Sequence, residues 1–280
     1  MVTRKQFDTA PERVDVCAHF ELHHLPFTRE IAIADRWRHP QYEDLRDDLR
    51  QLVEHRLSAA VIAPAGAGKT VVLRALRDAL PEARYRIHYM KVTDLSKRDF
   101  CREIACALGA KTAGYYGALV RQIQDRCQDL MAQESLRPVL LIDECHDVRP
   151  DVLAVLRVIS NFEMDSRLVV SLVLAGQSPL RAVLRRDALE DVSRRLALIG
   201  TLRLLSREET QEYLEHRLHL VGASAALFDL HALEAIYEAT QGNLRAIDRL
   251  ALRSLQLAAE AGVKVVDARL VTAARAQVWP

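Results

Sequence analysis

The chain lacks several features that would mark it as a membrane, secreted or strongly nucleic-acid-binding protein. No run approaches the roughly 20 apolar residues of a membrane span, and the N-terminus lacks the apolar stretch of a signal peptide. Lys plus Arg number 39 against 38 Asp plus Glu, so the net charge is only +1. Because bulk charge cannot attract nucleic acid here, any surface that binds it must be local.

The cysteines also argue against a fold held together by disulfide bonds or by a metal ion. The chain has five, which is an odd number, and their spacing is irregular. This favours reduced thiols in the cytoplasm over a disulfide framework. Cys145 and His146 are adjacent, but no second Cys/His pair with metal-ligand spacing follows, so we set zinc aside.

The most informative stretch is a glycine-containing turn between an apolar run at 59–62 and a helical pattern from 71. Gly66 and Gly68 let backbone N–H groups turn inward around phosphate oxygens at a helix N-terminus. Lys69 is expected to reach the β- and γ-phosphates of ATP, and the Thr70 hydroxyl to hold Mg²⁺. The alternative is a strand-to-helix turn without a ligand. The predicted nucleotide loop comprises Ala63, Pro64, Ala65, Gly66, Ala67, Gly68, Lys69, Thr70 and Val71.

A second acidic element supports this prediction. Residues 137–144 form an apolar run that ends in two carboxylates, as expected of a strand buried on both faces of a parallel sheet. Asp143 would join Thr70 in the Mg²⁺ shell, and Glu144 would orient and deprotonate the attacking water. A solvated strand end is the alternative for an isolated acid pair.

Strand and helix signals alternate up to Ser206, and only helical patterns follow, which predicts an α/β fold. Further helices are expected over 151–162 and 179–196, with a last strand at 200–205. We predict an N-terminal segment (1–40), a nucleotide-binding core (41–206) and a C-terminal helical domain (207–280).

Four later residues, at three places in the chain, are informative because of their order. Gln177 follows the strand after the acid pair, Arg194 and Arg195 precede the last strand, and Arg245 opens a helix in the C-terminal domain. With the two motifs above, this order resembles the AAA+ ATPase family. The resemblance implies a P-loop three-layer αβα core with a parallel sheet and a small helical lid. It also implies a sensor role for Gln177, an arginine finger at Arg194 or Arg195 acting on a neighbouring protomer, and a second sensor at Arg245.

The segments 22–27, 142–147 and 174–180 resemble the ExeA/GspA-like and TnsC/TniB-like AAA+ group more closely. The resemblance implies that Pro26 and Phe27 lie near the purine. The secretion-associated members carry a membrane span and a cell-wall-binding domain after the ATPase, and neither is found before residue 280. The resemblance therefore favours a cytoplasmic regulator of DNA transposition, without a membrane partner, that forms a homo-oligomeric ring or filament and recruits a transposase. A secretion ATPase or a protein-binding switch is the alternative.

Transposition ATPases of this kind bind double-stranded DNA through segments after the second core strand. The resemblance places DNA contacts without sequence preference in the corresponding stretch of this chain, where several of its few lysines occur. A solvated helix start explains the same residues equally well. The predicted DNA contacts are Lys91, Thr93, Lys97, Arg98 and Lys111.

Overall fold

The computed structural model describes residues 14–223 and 226–279, so part of the predicted N-terminal segment, residues 1–13, lies outside the described residues. The chain forms two compact units. One is Arg38–Arg203, and the other joins the chain up to Trp37 to the chain from Leu204 onward. The division into three parts at residues 40 and 206 stays a prediction.

A wholly parallel sheet forms the centre of the unit Arg38–Arg203. In its order β2-β3-β4-β1-β5, the strand β4 lies between β1 and β3 and pairs with both. The α/β fold with a parallel sheet is therefore confirmed. Within the described residues the strands are β1 (Ser58–Ile62), β2 (Tyr85–Lys91), β3 (Arg137–Asp143), β4 (Ser171–Gly176) and β5 (Leu196–Thr201).

The helices are numbered in chain order over the same described residues. They are α1 (Val16–Phe20), α2 (Pro40–Glu54), α3 (Lys69–Ala79), α4 (Lys97–Leu108), α5 (Tyr116–Ala132), α6 (Pro150–Leu153), α7 (Val155–Ile159), α8 (Pro179–Leu184), α9 (Glu190–Ser193), α10 (Arg207–Leu220), α11 (Leu230–Thr240), α12 (Leu244–Glu260) and α13 (Ala268–Val278).

Helices cover both faces of the sheet, as the three-layer prediction requires. Ala60 and Leu140 belong to one buried cluster with Phe100 of α4 and Ile123 of α5. Side chains alternate between the two faces of a strand, so neighbours such as Leu141 point the other way. Leu141 is also buried, and on that side α2 contacts β1, β5 and α3. Burial on both faces explains the uninterrupted apolar runs of β1, β3 and β4.

The chain between β4 and β5 corrects the sequence prediction. We expected a helix over 179–196 and a strand at 200–205, whereas α8 ends at Leu184 and β5 already begins at Leu196. The Ser193 hydroxyl donates to the Leu184 carbonyl, which folds the short α9 back against the end of α8. β5 is an edge strand with exposed positions such as Ile199, so its pattern lacks the continuous apolar run of a central strand. The helix expected over 151–162 is likewise replaced by the shorter α6 and α7.

The second unit consists of α1 and α10–α13 with the segment before Trp37. Its interior contains an arginine: Arg217 is 4% exposed and donates to the Tyr213 hydroxyl at 2.6 Å, to Asp248 Oδ1 at 3.0 Å and to the Thr28 carbonyl at 2.8 Å. The same guanidinium lies 5.6 Å from the ring centroid of Phe27. A buried charge needs such partners, and here they hold the segment around Phe27 within the helical unit.

Candidate nucleotide site

The predicted nucleotide loop connects the end of β1 to the start of α3. Gly66 and Gly68 have φ angles of 75° and 93°, a left-handed conformation that side-chain-bearing residues rarely adopt. Ala63 stands where a typical loop of this kind has glycine. Its N–H continues the sheet ladder by donating to the Gly176 carbonyl at 3.1 Å, and it has no positive φ. An alanine is therefore accommodated there without strain.

Lys69, the first residue of α3, lies between the two carboxylates that follow the apolar run of β3. Its Nζ is 3.1 Å from Asp143 Oδ1 and 3.3 Å from Glu144 Oε2, and the side chain is 10% exposed. These residues are far apart in the chain, but the carboxyl ends of parallel strands meet at one edge of a sheet. The structure thus brings together the cation and both acids that the sequence singled out.

Asp143 is held by two further donors. It is 2% exposed, its Oδ1 accepts the Glu144 backbone N–H at 2.8 Å, and its Oδ2 accepts the Tyr89 hydroxyl at 3.1 Å. Burial, with the Asp143 charge adding to it, raises the pKa of Tyr89 to about 12, so the phenol stays a donor. Sequence reasoning missed Tyr89. The alternation of β2 could have revealed it, because Tyr89 shares a face with Lys91, which pairs with Asp143 across the sheet.

Glu144 leaves β3 in a left-handed conformation, with φ 60° and ψ 30°. Besides Lys69, its carboxylate lies near two residues that were not predicted to contact it. His146 Nδ1 is 3.5 Å from Oε2, and Lys91 Nζ is 3.9 Å from Oε1. Lys91 therefore lies beside the candidate catalytic base as well as in the stretch predicted to contact DNA.

The predicted magnesium ligands fit the ion in donor type. The hydroxyl of Thr70, which is exposed on the first turn of α3, and the carboxylate of Asp143 are oxygen donors of the kind Mg²⁺ prefers. Mg²⁺ at phosphate sites commonly takes one or two protein ligands and completes its shell with phosphate and water. Among the described residues, no group of three or more His, Cys, Asp or Glu could hold a metal by itself. Cys145 is fully buried, and burial raises the pKa of its thiol to about 12.

Gln177 directly follows β4, the strand that lies between β1, which leads into the loop, and β3, which carries the acid pair. Its backbone N–H donates to His146 Nδ1 at 3.2 Å. In the sequence, His146 was considered as a metal ligand and as part of the segment 142–147, but no role at this site was assigned to it. Its place between Gln177 and Glu144 arises from the turn after β3, which no local pattern indicates.

The two arginine-finger candidates differ in their surroundings. The Arg194 side chain is 72% exposed and forms an ion pair with Glu190 on the preceding helical turn. Arg195 instead donates to the Arg157 carbonyl at 2.7 Å, the Ser160 hydroxyl at 2.8 Å and Asp165 Oδ2 at 2.6 Å. Arg195 thus binds its own unit, whereas Arg194 extends into solvent.

The remaining predicted nucleotide contacts belong to the other unit. Arg245 is exposed on the first turn of α12, two residues after the N-cap Asn243. Pro26 is buried, and Phe27 is 3% exposed and packs against Phe228, with ring centroids 6.3 Å apart. Their roles toward ATP stay predictions.

The predicted DNA contacts lie on and after the carboxyl end of β2. Lys97 begins α4 with its Nζ 3.5 Å from Asp151 Oδ2, and Arg98 donates to the Gly114 carbonyl at 3.2 Å. Thr93 and Lys111 are exposed in loops. The loop that holds Lys111 returns to the start of α4, where Arg98 binds it. The DNA role of this group stays a prediction.

No helix in residues 14–223 or 226–279 is long and apolar enough to cross a membrane.

Comparison with known proteins supports the fold. Residues 49–184 match the family model of an AAA domain. A stretch of 194 residues, 68% of this chain, is 31% identical to General secretion pathway protein A of Aeromonas hydrophila, and the chain spans 35% of that protein's length.

Two solved structures have a similar fold. The crystal structure of Cdc6p from Pyrobaculum aerophilum has a TM-score of 0.69 at 18% identity, with 86% of this chain and 67% of that chain covered. The Aeropyrum pernix ORC1 protein in complex with DNA has a TM-score of 0.65 at 19% identity, with 88% and 67% covered.

The resemblance to AAA+ proteins is therefore confirmed for the fold and for an AAA domain over residues 49–184. The transposition branch of that resemblance stays a prediction.

Proposed function

We propose that this chain, which contains an AAA domain over residues 49–184, is a Mg²⁺-dependent ATP hydrolase. The observation that carries the proposal is Lys69 at the end of a phosphate-type loop, 3.1 Å from Asp143 and 3.3 Å from Glu144. Phosphoryl transfer to water needs a phosphate-binding loop, a cation and acidic groups close together. Here a loop with two left-handed glycines, Lys69 and two acids meet at one edge of the sheet.

Each residue has a distinct task in this proposal. The backbone N–H groups of the loop and the Lys69 ammonium neutralise the phosphates, and the Thr70 hydroxyl and Asp143 hold Mg²⁺. Bound Mg²⁺ supplies charge neutralisation at the phosphate oxygens. Glu144 orients the attacking water and accepts its proton. Gln177 would act as the sensor of the γ-phosphate; the position of β4, between the strands that lead to the loop and to the acids, supports this role.

We further propose that the site is completed in a homo-oligomer. Arg194 is 72% exposed and its ion pair is with Glu190 on the same surface, so its guanidinium is accessible to a neighbouring protomer. Arg195 is bound to three acceptors of its own unit and serves to hold the chain before β5. An arginine supplied in trans typically accelerates phosphoryl transfer by roughly 10³–10⁵-fold, so the isolated protomer should hydrolyse ATP poorly. Arg245 would contact the γ-phosphate as the second sensor.

For the assembled protein we propose binding to double-stranded DNA without sequence preference. The likeness in fold to the ORC1 protein solved with DNA supports this step, and the basic residues after β2 are the candidate contacts. The partner that the resemblance favours is a transposase, which the assembled protein would recruit. A secretion-associated ATPase is the second candidate, favoured by the 31% identity to General secretion pathway protein A.

One experiment tests the hydrolase and the DNA proposals together. Phosphate release is measured with ATP and Mg²⁺, with ATP and EDTA, and with random-sequence duplex DNA at two salt concentrations. We expect turnover that requires Mg²⁺. The rate per protomer should increase with protein concentration and with added DNA. No turnover under any condition would contradict the hydrolase. Turnover that ignores DNA, with no salt-dependent DNA binding, would favour a protein-binding switch or the secretion alternative.

A further inference from the structure

The turn after β3 packs tightly against the end of β4. Glu144 takes its left-handed conformation, and a 3₁₀ turn over Cys145–Asp147 follows at once. The turn closes with the Asp147 N–H donating to the Glu144 carbonyl at 3.0 Å. A side chain at Gly176 would place its Cβ 3.2 Å from the His146 backbone nitrogen, so glycine permits this close approach. The catalytic acid and the end of β4 are therefore neighbours through His146.

One ring nitrogen of His146 lies near two residues of the proposed site. The side chain is 8% exposed, and its Nδ1 lies 3.2 Å from the Gln177 backbone nitrogen and 3.5 Å from Glu144 Oε2. A backbone N–H can only donate, so Nδ1 must present its lone pair. The ring proton of the neutral imidazole then belongs on Nε2, which lies 3.5 Å from Asp147 Oδ1.

We propose that His146 is a positioning residue for ATP hydrolysis, in which Nδ1 holds the Gln177 backbone beside Glu144. The inference rests on the hydrolase proposed above and adds a residue to its site. The Gln177 N–H also selects the tautomer of His146. With its lone pair committed to Gln177, Nδ1 cannot donate to Glu144, so the carboxylate stays available to accept a proton from water.

A matched pair of variants separates the Nδ1 acceptor from the bulk of the ring. His146→Asn places an amide oxygen where Nδ1 lies and can accept the Gln177 N–H. His146→Gln carries its polar group one bond further, toward the Nε2 position, and leaves that N–H without its acceptor. Both substitutions are polar and similar in size, and both leave the backbone of the turn, which approaches Gly176, unchanged.

We expect His146→Gln to lower kcat by up to about 100-fold, the loss that a displacement of about 1 Å in a reacting geometry causes. The KM for ATP should change little, because Lys69 and the loop are untouched. His146→Asn should restore most of the turnover. Wild-type kcat in the Gln variant, or equal losses in both variants with unchanged thermal unfolding, would overturn the proposal.

A spectroscopic measurement keeps the inference separate from the hydrolase itself. Long-range ¹H–¹⁵N spectra of histidine-labelled protein report which ring nitrogen carries the proton, and the His146→Asn spectrum identifies the signal of His146. We expect the Nε2–H tautomer without nucleotide. An Nδ1–H tautomer or an imidazolium at neutral pH would overturn the inference even in an active enzyme. The Nε2–H tautomer in a protein without turnover would instead contradict only the hydrolase.

Discussion

The Nζ atom of Lys69 lies 3.1 Å from Oδ1 of Asp143. Lys69 begins α3, whereas Asp143 is the last residue of β3. Asp143 is 2% exposed, and its other oxygen accepts the Tyr89 hydroxyl at 3.1 Å. A buried carboxylate is costly without partners, so this acid is held by a cation and a donor that the fold supplies. The contact links the predicted phosphate loop directly to the predicted magnesium ligand.

Lys69→Ala should abolish ATP binding, because the phosphates lose the cation that neutralises them. Isothermal titration with ATP and Mg²⁺ measures the affinity, and Lys264→Ala, in the helical unit, serves as the control that should bind normally. Equal affinity in wild type and the Lys69 variant would show that the loop does not bind phosphate through this residue.

Glu144→Gln should retain ATP binding and lose turnover by roughly 10²–10⁴-fold, the usual contribution of a general base. The amide cannot take a proton from water, whereas its size preserves the turn after β3. Phosphate release and ATP titration are measured in parallel. Glu103→Gln, an exposed position on α4, is the control for the charge change. A Glu144 variant with normal turnover would remove this residue from the chemistry.

Arg194→Ala and Arg195→Ala should fail in different ways. Loss of Arg194 should lower turnover by roughly 10³-fold or more with an unchanged melting temperature, as expected for a finger acting in trans. Loss of Arg195 should lower the free energy of unfolding by about 1–3 kcal/mol. The reason is that three acceptors, the Arg157 carbonyl, the Ser160 hydroxyl and the Asp165 carboxylate, lose their donor.

Mixing the Arg194→Ala and Glu144→Gln proteins tests the in-trans role itself. Each mutant can supply the intact surface that the other lacks, so the mixture should hydrolyse ATP faster than either protein alone. Oligomers are confirmed by light scattering in the same samples. An inactive mixture of confirmed oligomers would argue against a finger at Arg194.

DNA binding through the segment after β2 predicts a salt dependence with a definite slope. Lys97→Ala with Lys111→Ala should reduce the slope of log affinity against log salt by about 0.9 for each phosphate that these lysines neutralise. Lys91 is left intact because it lies beside Glu144. Arg185→Ala with Arg186→Ala, two exposed positions after α8, is the matched control. A slope that falls only in the control would move the DNA path to α8.

The ion pair between buried Arg217 and half-buried Asp248 in the helical unit predicts a pH dependence. Burial raises the pKa of Asp248 to about 6, although Arg217 opposes the shift, whereas an exposed aspartate has a pKa of about 3.9. Between these values the folded state binds more protons than the unfolded state. The contribution of Asp248 to stability is therefore fully present below pH 4 and is lost as the pH rises through about 6.

Asp248→Asn removes this titration. The free energy of unfolding of the variant minus that of wild type should increase as the pH rises from 4 to 7. Urea unfolding at several pH values measures this difference. The opposite trend would show that Arg217 holds the carboxyl charged and that the ion pair outweighs burial.

The sequence by itself determined the features that local physics encodes. Gly66 and Gly68 must take left-handed angles in a loop before a helix, and uninterrupted apolar strands must be buried on both faces of a parallel sheet. Asp143 and Glu144 could be found because they end such a strand. The bounds of edge strand β5 were predicted too late in the chain, and the breaks in the helices before it were missed, since these features depend on packing and on the Ser193 hydrogen bond to Leu184.

Only the tertiary structure decided which side chains share the site. Tyr89 reaches Asp143, and His146 lies between Gln177 and Glu144, because strands distant in the chain end at one edge of the sheet. The same holds for the two arginines before β5. Arg194 and Arg195 are adjacent in the chain and chemically identical. They differ because acceptors from Arg157, Ser160 and Asp165 surround one and not the other, which no local pattern can express.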